Sequence, residues 1–179
     1  TGMLHAPVLE KYWATEHFAT MAQFYKDASE GTLPDYAFIE PRMVYNHNDF
    51  HPPFGELKES VVDGMLVVDS AISDVRAGEA LVNDVYTAIK TSASTKGSNA
   101  LNTLLLITFD EHGGTYDHVL PPSAVPPVAG AQVGEMGFGF DRLGVRVPAI
   151  AVSAYTRAGT VLNEEMHHGS LIATLNRQH

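Results

Sequence analysis

Leu104-Leu105-Leu106-Ile107-Thr108-Phe109 runs directly into Asp110-Glu111-His112-Gly113-Gly114-Thr115-Tyr116-Asp117-His118-Val119. The first stretch is apolar except for Thr108 and reads as a buried strand. The second packs three carboxylates, two imidazoles and a Gly-Gly pair into the turn that leaves it. In an open α/β sheet, ligands sit beyond the carboxyl ends of the strands, so this turn is the expected site. Asp110 and Glu111 are hard oxygen donors. With histidine nearby they form a set suited to a divalent metal ion that handles phosphate, though the metal's identity stays open. The plain alternative is a helix cap and a solvated loop, but that leaves most of the cluster unexplained. Gly113 and Gly114 either admit a ligand close to the backbone or simply make a tight turn. Asp117 precedes His118 and can orient its imidazole or set its tautomer. His112 is expected behind the ligands, in a supporting place.

Outward from this centre, strands alternate with helices, which predicts a mainly parallel α/β sheet. Residues 14–29 carry Phe18, Met21, Ala22 and Tyr25 at helical spacing, ended by Gly31 and Pro34. Tyr36-Ala37-Phe38-Ile39-Glu40-Pro41 reads as a short strand stopped by proline. Val61-Val62 and Met65-Leu66-Val67-Val68 flank Asp63-Gly64, a hairpin signal. Residues 74–91 place Val75, Leu81, Val82, Val85 and Ile89 on one helical face. Residues 120–141 are rich in Pro and Gly, and so long a loop in a compact domain is usually functional. Residues 145–152 read as another buried strand, and 169–177 as a final helix.

Two further polar clusters follow this pattern. Asn46-His47-Asn48-Asp49-Phe50-His51-Pro52-Pro53 comes after the strand expected at 36–41. His51 is backbone-restricted by the proline that follows. Asn48 and Asp49 either support it or make an Asx-type turn. His167-His168-Gly169-Ser170 opens the last helix, where free N–H groups favour an anion beside His168. Ser170 alternatively caps that helix. Ser153 follows a strand but lacks the G-x-S-x-G elbow, which excludes a serine hydrolase built on it.

The chain has 179 residues, no cysteine, and a formal net charge of -10. That acidity argues against sequence-independent nucleic-acid binding and against electrostatic attraction to anionic lipid. No apolar run approaches the roughly 20 residues of a membrane span. There is no disulfide or thiolate chemistry.

Several blocks, in order, resemble one family. They are Ile39-Glu40-Pro41-Arg42 leading to Asn48-Asp49-Phe50-His51-Pro52-Pro53, then Asp74-Val75-Arg76-Ala77-Gly78-Glu79, then Thr108 to Pro121. Leu143-Gly144-Val145-Arg146-Val147-Pro148 and His168-Gly169-Ser170-Leu171-Ile172 follow. They are similar to the phosphoesterase family that holds bacterial phosphatidylcholine-hydrolysing phospholipases C, plant non-specific phospholipases C and related acid phosphatases. The motifs cover roughly residues 33 to 177.

The resemblance implies a three-layer α/β/α sandwich like that of alkaline phosphatase. It implies metal-assisted attack on a phosphoester by a Ser or Thr hydroxyl. Asp110 and Glu111 are then metal ligands, and His51, His118 and His168 bind phosphate or protonate the leaving group. The substrate is a phospholipid, cleaved to diacylglycerol and a phosphorylated head group, or a small phosphomonoester as in the acid phosphatases. A non-catalytic metal- or phosphate-binding domain is the alternative of a different class. The family's Glu-Asn-Arg block and its nucleophile block do not occur here. The 179 residues are therefore expected to be the carboxyl-terminal part of one larger catalytic domain, inactive alone. Residues 54–73 are expected to be an inserted hairpin. Export to the periplasm or medium is expected by family analogy, and oligomeric state is left open.

Overall fold

In the computed structural model, residues 7–13, 17–43, 47–50, 58–69, 75–130 and 133–178 are described. The chain forms two compact units, Thr1–Leu105 and Leu106–His179. Helices and strands are both present, as an α/β chain requires.

In the first unit, helix α1 spans Met21–Glu30. It starts later than the expected residue 14, because Thr20 has an extended backbone and its hydroxyl accepts from Gln23 N at 3.4 Å. That N-cap satisfies one of the first orphan N–H groups. Gly31 ends the helix in the left-handed region (φ 76°), and Thr32 N donates to Asp27 O at 2.9 Å. Helix α2 spans Val75–Thr91. Its Gly78, Val85 and Ile89 are buried, spaced so that one stripe faces inward. Ala28 of α1 joins Val85 and Ile89 in the buried apolar core. The seam is tied beyond the helices as well. Ser92 Oγ donates to Ala28 O at 2.6 Å, and Leu33 N donates to Ser98 Oγ at 3.0 Å.

Strands β1 (Lys58–Val62) and β2 (Met65–Asp69) form an antiparallel hairpin in the register Val62↔Met65 to Lys58↔Asp69. Asp63 and Gly64 both take positive φ, 50° and 77°, as a type I′ turn requires. The strand expected at 36–41 does not form. Those residues are irregular, and Phe38 is 76% exposed. A strand needs a partner ladder, and among the described residues none pairs with this stretch.

β3 (Leu105–Thr108), which lies in the second unit from Leu106 on, pairs with β4 (Ala149–Val152). Both were expected to be buried. Instead Leu106 is 39% and Ile150 53% exposed. Each strand has one neighbour among the described residues, so every other residue of β3 and the first three of β4 stay open. β4 begins only after Pro148, whose missing N–H cannot join a ladder. Helix α3 spans His168–Gln178. The loop at 120–141 is internally pinned. Ser123 bridges Arg142, Ala124 N donates to Asp141 O at 2.8 Å, and Leu143 N donates to Pro122 O at 3.0 Å.

Candidate active site

The turn after β3 is organised by its own side chains. Asp110 Oδ1 accepts from Glu111 N at 2.9 Å, and Glu111 Oε2 accepts from Gly113 N at 2.8 Å. His112 Nδ1 accepts from Gly114 N at 3.1 Å. Gly113 and Gly114 take φ of 59° and 80°, conformations that a Cβ resists. The glycines therefore make the turn, and the acids close it. One oxygen of each acid is used in this way, which leaves a second oxygen on each for a cation.

The donor chemistry fits a hard divalent ion, but only as two of its ligands. Among the described residues, no group of three or more His, Asp or Glu is placed to hold a metal. His112 instead spends Nδ1 on the turn and sits with its ring 5.7 Å from that of Tyr116.

His168, which opens α3, comes back to the same strand end, with Nε2 2.8 Å from Phe109 O. A carbonyl only accepts, so Nε2 is the donor here and Nδ1 is the ring atom left for other use. Its position follows from the helix start. His167 is the cap residue, its Nδ1 accepting from Gly169 N at 3.1 Å, while Ser170 Oγ accepts from His167 N at 3.2 Å. This is the reciprocal logic of a capping box. Ser170 thus supports the helix start from its third position, and the cap itself is His167.

Asp117 is held by one edge of the Arg146 guanidinium, which meets both carboxylate oxygens. Nε donates to Oδ2, and Nη2 donates to Oδ1 at 3.3 Å. Val119 N also donates to Oδ1, at 3.2 Å, and His118 Nδ1 lies 3.0 Å from the same oxygen. The Arg146 hydrogen bond holds the Asp117 carboxyl at about 2, below its ordinary 3.8. The His118 side chain is 87% exposed, whereas Asp117 is 19% exposed. In the sequence Arg146 stands only within the block Leu143-Gly144-Val145-Arg146-Val147-Pro148. Its role was hidden by the 29 residues that separate it from Asp117.

The second expected cluster belongs to the first unit. Asn48 N donates to Arg42 O at 3.0 Å, and Asn48 Oδ1 accepts from Arg42 N at 2.6 Å. Asp49 Oδ1 accepts from Phe50 N at 2.7 Å, and Asp49 Oδ2 lies 3.7 Å from His47 Nε2. Both side chains therefore shape the backbone locally, as an Asx-rich turn does. His51 lies outside the described residues.

The sequence model of the phosphoesterase family matches residues 4–179. The chain belongs to the phosphoesterase family. The match begins well ahead of residue 33, where the recognisable motifs start. Among relatives, non-specific phospholipase C6 of Arabidopsis thaliana is 37% identical over 169 residues, covering 87% of this chain and 28% of that protein. Non-specific phospholipase C1 of the same plant is 34% identical, covering 87% of this chain and 27% of its own. Phospholipase C A of Mycobacterium tuberculosis (strain ATCC 25618 / H37Rv) is 34% identical over 83 residues, covering 38% of this chain and 15% of that protein. This phosphoesterase chain thus spans little more than a quarter of the length of its plant relatives. No solved structure matches it.

Proposed function

We propose that the chain is the carboxyl-terminal part of a metal-dependent phosphoester hydrolase of phospholipase C type. It would act on phospholipid to release diacylglycerol and a phosphorylated head group. The observation that carries this reading is the meeting of His168 with the strand end that bears Asp110 and Glu111, in a family whose relatives are named phospholipases C.

Asp110 and Glu111 would hold a divalent cation through the oxygens their turn leaves open. When bound, that cation supplies neutralisation of the phosphate oxygens and activation of the attacking hydroxyl. His118, exposed and backed by Asp117, would pass a proton from Nε2 to the departing alkoxide. His168 keeps Nε2 on Phe109 O, so it would meet phosphate only through Nδ1. His51 would contribute a further phosphate contact. Asn48, Asp49 and His112 would hold the loops that carry these groups.

The exposed faces of β3 and β4 support placing both strands inside a wider, mainly parallel sheet of a three-layer α/β/α sandwich. The hairpin at 58–69 would then be an insertion on that domain, which is one catalytic domain shared with the rest of the protein. Among the described residues no helix is long and apolar enough to cross a membrane.

The test is turnover by the full-length protein of phosphatidylcholine and of a soluble phosphomonoester, with and without chelator, beside Asp110→Ala. We expect chelator-sensitive release of diacylglycerol and a loss on the order of 100-fold or more in Asp110→Ala. Preference for the monoester would make the protein an acid phosphatase of the same family. Activity surviving both treatments would remove Asp110 and Glu111 from the mechanism. Metal binding without turnover of any phosphoester would leave a binding domain.

A further inference from the structure

The chain on either side of the loop at 120–141 is zipped together. Arg146 grips Asp117, Leu143 N donates to Pro122 O, Ser123 bridges Arg142, and Ala124 N donates to Asp141 O. Residue numbers rise on one side as they fall on the other, as in an antiparallel ladder. This stem begins at Asp117, next to His118, and closes off residues 125–140. The closed end has structure of its own. Gly134 N donates to Phe138 O at 2.8 Å, and the Phe138 and Phe140 rings meet edge to face at 5.0 Å.

That end presents apolar side chains to solvent. Val125, Val128, Val133 and Met136 are each more than half exposed, and Phe138 and Phe140 are 44% and 47% exposed. Met136 is fully exposed and sits at φ 54°, a left-handed backbone that a residue with a Cβ resists. Nothing in folding rewards a thioether held in water on a strained backbone. The charged Asp141 and Arg142 rim this end on the stem side, and an apolar surface with a polar rim marks an interaction site.

The charge pattern selects the partner. From Leu120 to Phe140 the one charged residue is Glu135, exposed beside Met136, in a chain of net charge -10. A nucleic acid or an anionic membrane would repel such a chain. A phosphatidylcholine surface carries no net charge and offers an acyl layer for the apolar side chains. Its outermost group is a quaternary ammonium, which a carboxylate and aromatic rings attract. We propose that the end of this loop docks the enzyme on a zwitterionic phospholipid surface. Val125 and Met136 enter the acyl layer, and Glu135 meets choline. The inference deepens the phospholipase reading and rests on it for the substrate.

The experiment uses the full-length protein carrying Asp110→Ala, so that lipid stays intact, with vesicles of phosphatidylcholine or of phosphatidylglycerol. Flotation should find the protein on phosphatidylcholine in preference to phosphatidylglycerol. Met136→Ser should weaken this partitioning about 10-fold, Met136→Ser with Val125→Ser about 100-fold, and Met136→Leu less than about threefold. In Met136→Trp, bromine-labelled phosphatidylcholine should quench the added indole, a readout that serves if the Ser variants do not fold. With Asp110 restored, the ratio of turnover on phosphatidylcholine vesicles to turnover of soluble p-nitrophenyl phosphorylcholine should fall about 10-fold in Met136→Ser.

Unchanged partitioning in Met136→Ser, stronger binding to phosphatidylglycerol, or an added indole that the bromine label does not reach would overturn the docking role. An added indole already shielded from iodide without vesicles would assign the surface to the rest of this protein. A concentration-dependent dimer lost in Met136→Ser would assign it to a second copy, and either result overturns the lipid surface. Vesicle binding that follows these expectations without turnover of any phosphoester would overturn the hydrolase reading and leave the docking surface standing.

Discussion

Gly78 sits in the buried stripe of α2, and a Cβ built there would lie 2.7, 2.8 and 3.0 Å from Cδ2, Cε2 and Cγ of the Phe50 ring. Substituting Gly78→Ala sets two opposed effects against each other. Alanine in a helix interior is favoured over glycine by up to about 1 kcal/mol. Forcing a methyl into contact with an aromatic ring costs about 1–3 kcal/mol through displaced side chains and backbone. All three contacts are tighter than real Cβ contacts normally are, and they fall on the body of the ring rather than on a flexible tip. The steric term should therefore win, giving a net destabilisation of about 0–2 kcal/mol. The displaced ring belongs to the Asn48-Asp49-Phe50-His51 segment, so turnover should fall with stability. The assay is urea unfolding and phosphatidylcholine turnover of the full-length protein for Gly78→Ala, Phe50→Leu and the pair. Phe50→Leu makes room, so the double variant should be more stable than the sum of the singles predicts. A Gly78→Ala protein about 1 kcal/mol more stable than wild type would show that the helix gain is unopposed and that this packing is wrong.

Gly31→Ala should cost about 2–4 kcal/mol, because φ is 76° and the new Cβ would lie 2.0 Å from Ser94 Oγ. Gly64→Ala, at φ 77° with nothing within 4 Å, should cost only the backbone part, about 1–2 kcal/mol, and equal costs in urea unfolding would refute the steric account. The Asp117–Arg146 pair has a definite pH signature. The folded carboxyl is held at about 2 against an ordinary 3.8, so its stabilisation is present above about pH 4 and fades as the pH falls toward 2. The melting temperature of Arg146→Met should therefore trail the wild type at pH 6 and converge with it near pH 2, and a gap that persists at pH 2 would assign the effect to packing. His168→Ala removes the 2.8 Å contact to Phe109 O and should cost about 0.5–1.5 kcal/mol, with faster amide exchange in the first turn of α3. Unaltered exchange would mean that the contact does not hold the helix start.

Much of the local structure was legible because it is encoded within a few residues. The stripe Val75-Leu81-Val82-Val85-Ile89 yields α2, and Asp63-Gly64 between apolar runs yields the I′ hairpin. Gly31 ends α1 where the left-handed backbone demands glycine. The turn Asp110–Thr115 is likewise self-contained, since each acid or imidazole in it caps an N–H one or two residues on. These features depend on spacing and on torsional preference, which the order of residues carries directly.

Pairing at a distance could not be read in the same way. Tyr36-Ala37-Phe38-Ile39 has the composition of a strand, but composition does not supply a neighbouring ladder, and none forms among the described residues. The apolar run of β3 predicted burial, yet how much of Leu106 is covered depends on which strands lie beside it. Arg146 on Asp117 and His168 on Phe109 O bridge 29 and 59 residues, and nothing local marks either partner. The sequence by itself determined the helices, the turns and the identity of the acids and imidazoles after β3. Only the tertiary structure decided which nitrogen of His168 is spent on the backbone and which guanidinium locks Asp117. Chain-local torsions and caps are set by neighbours along the sequence, whereas hydrogen bonds and ion pairs are set by neighbours in space.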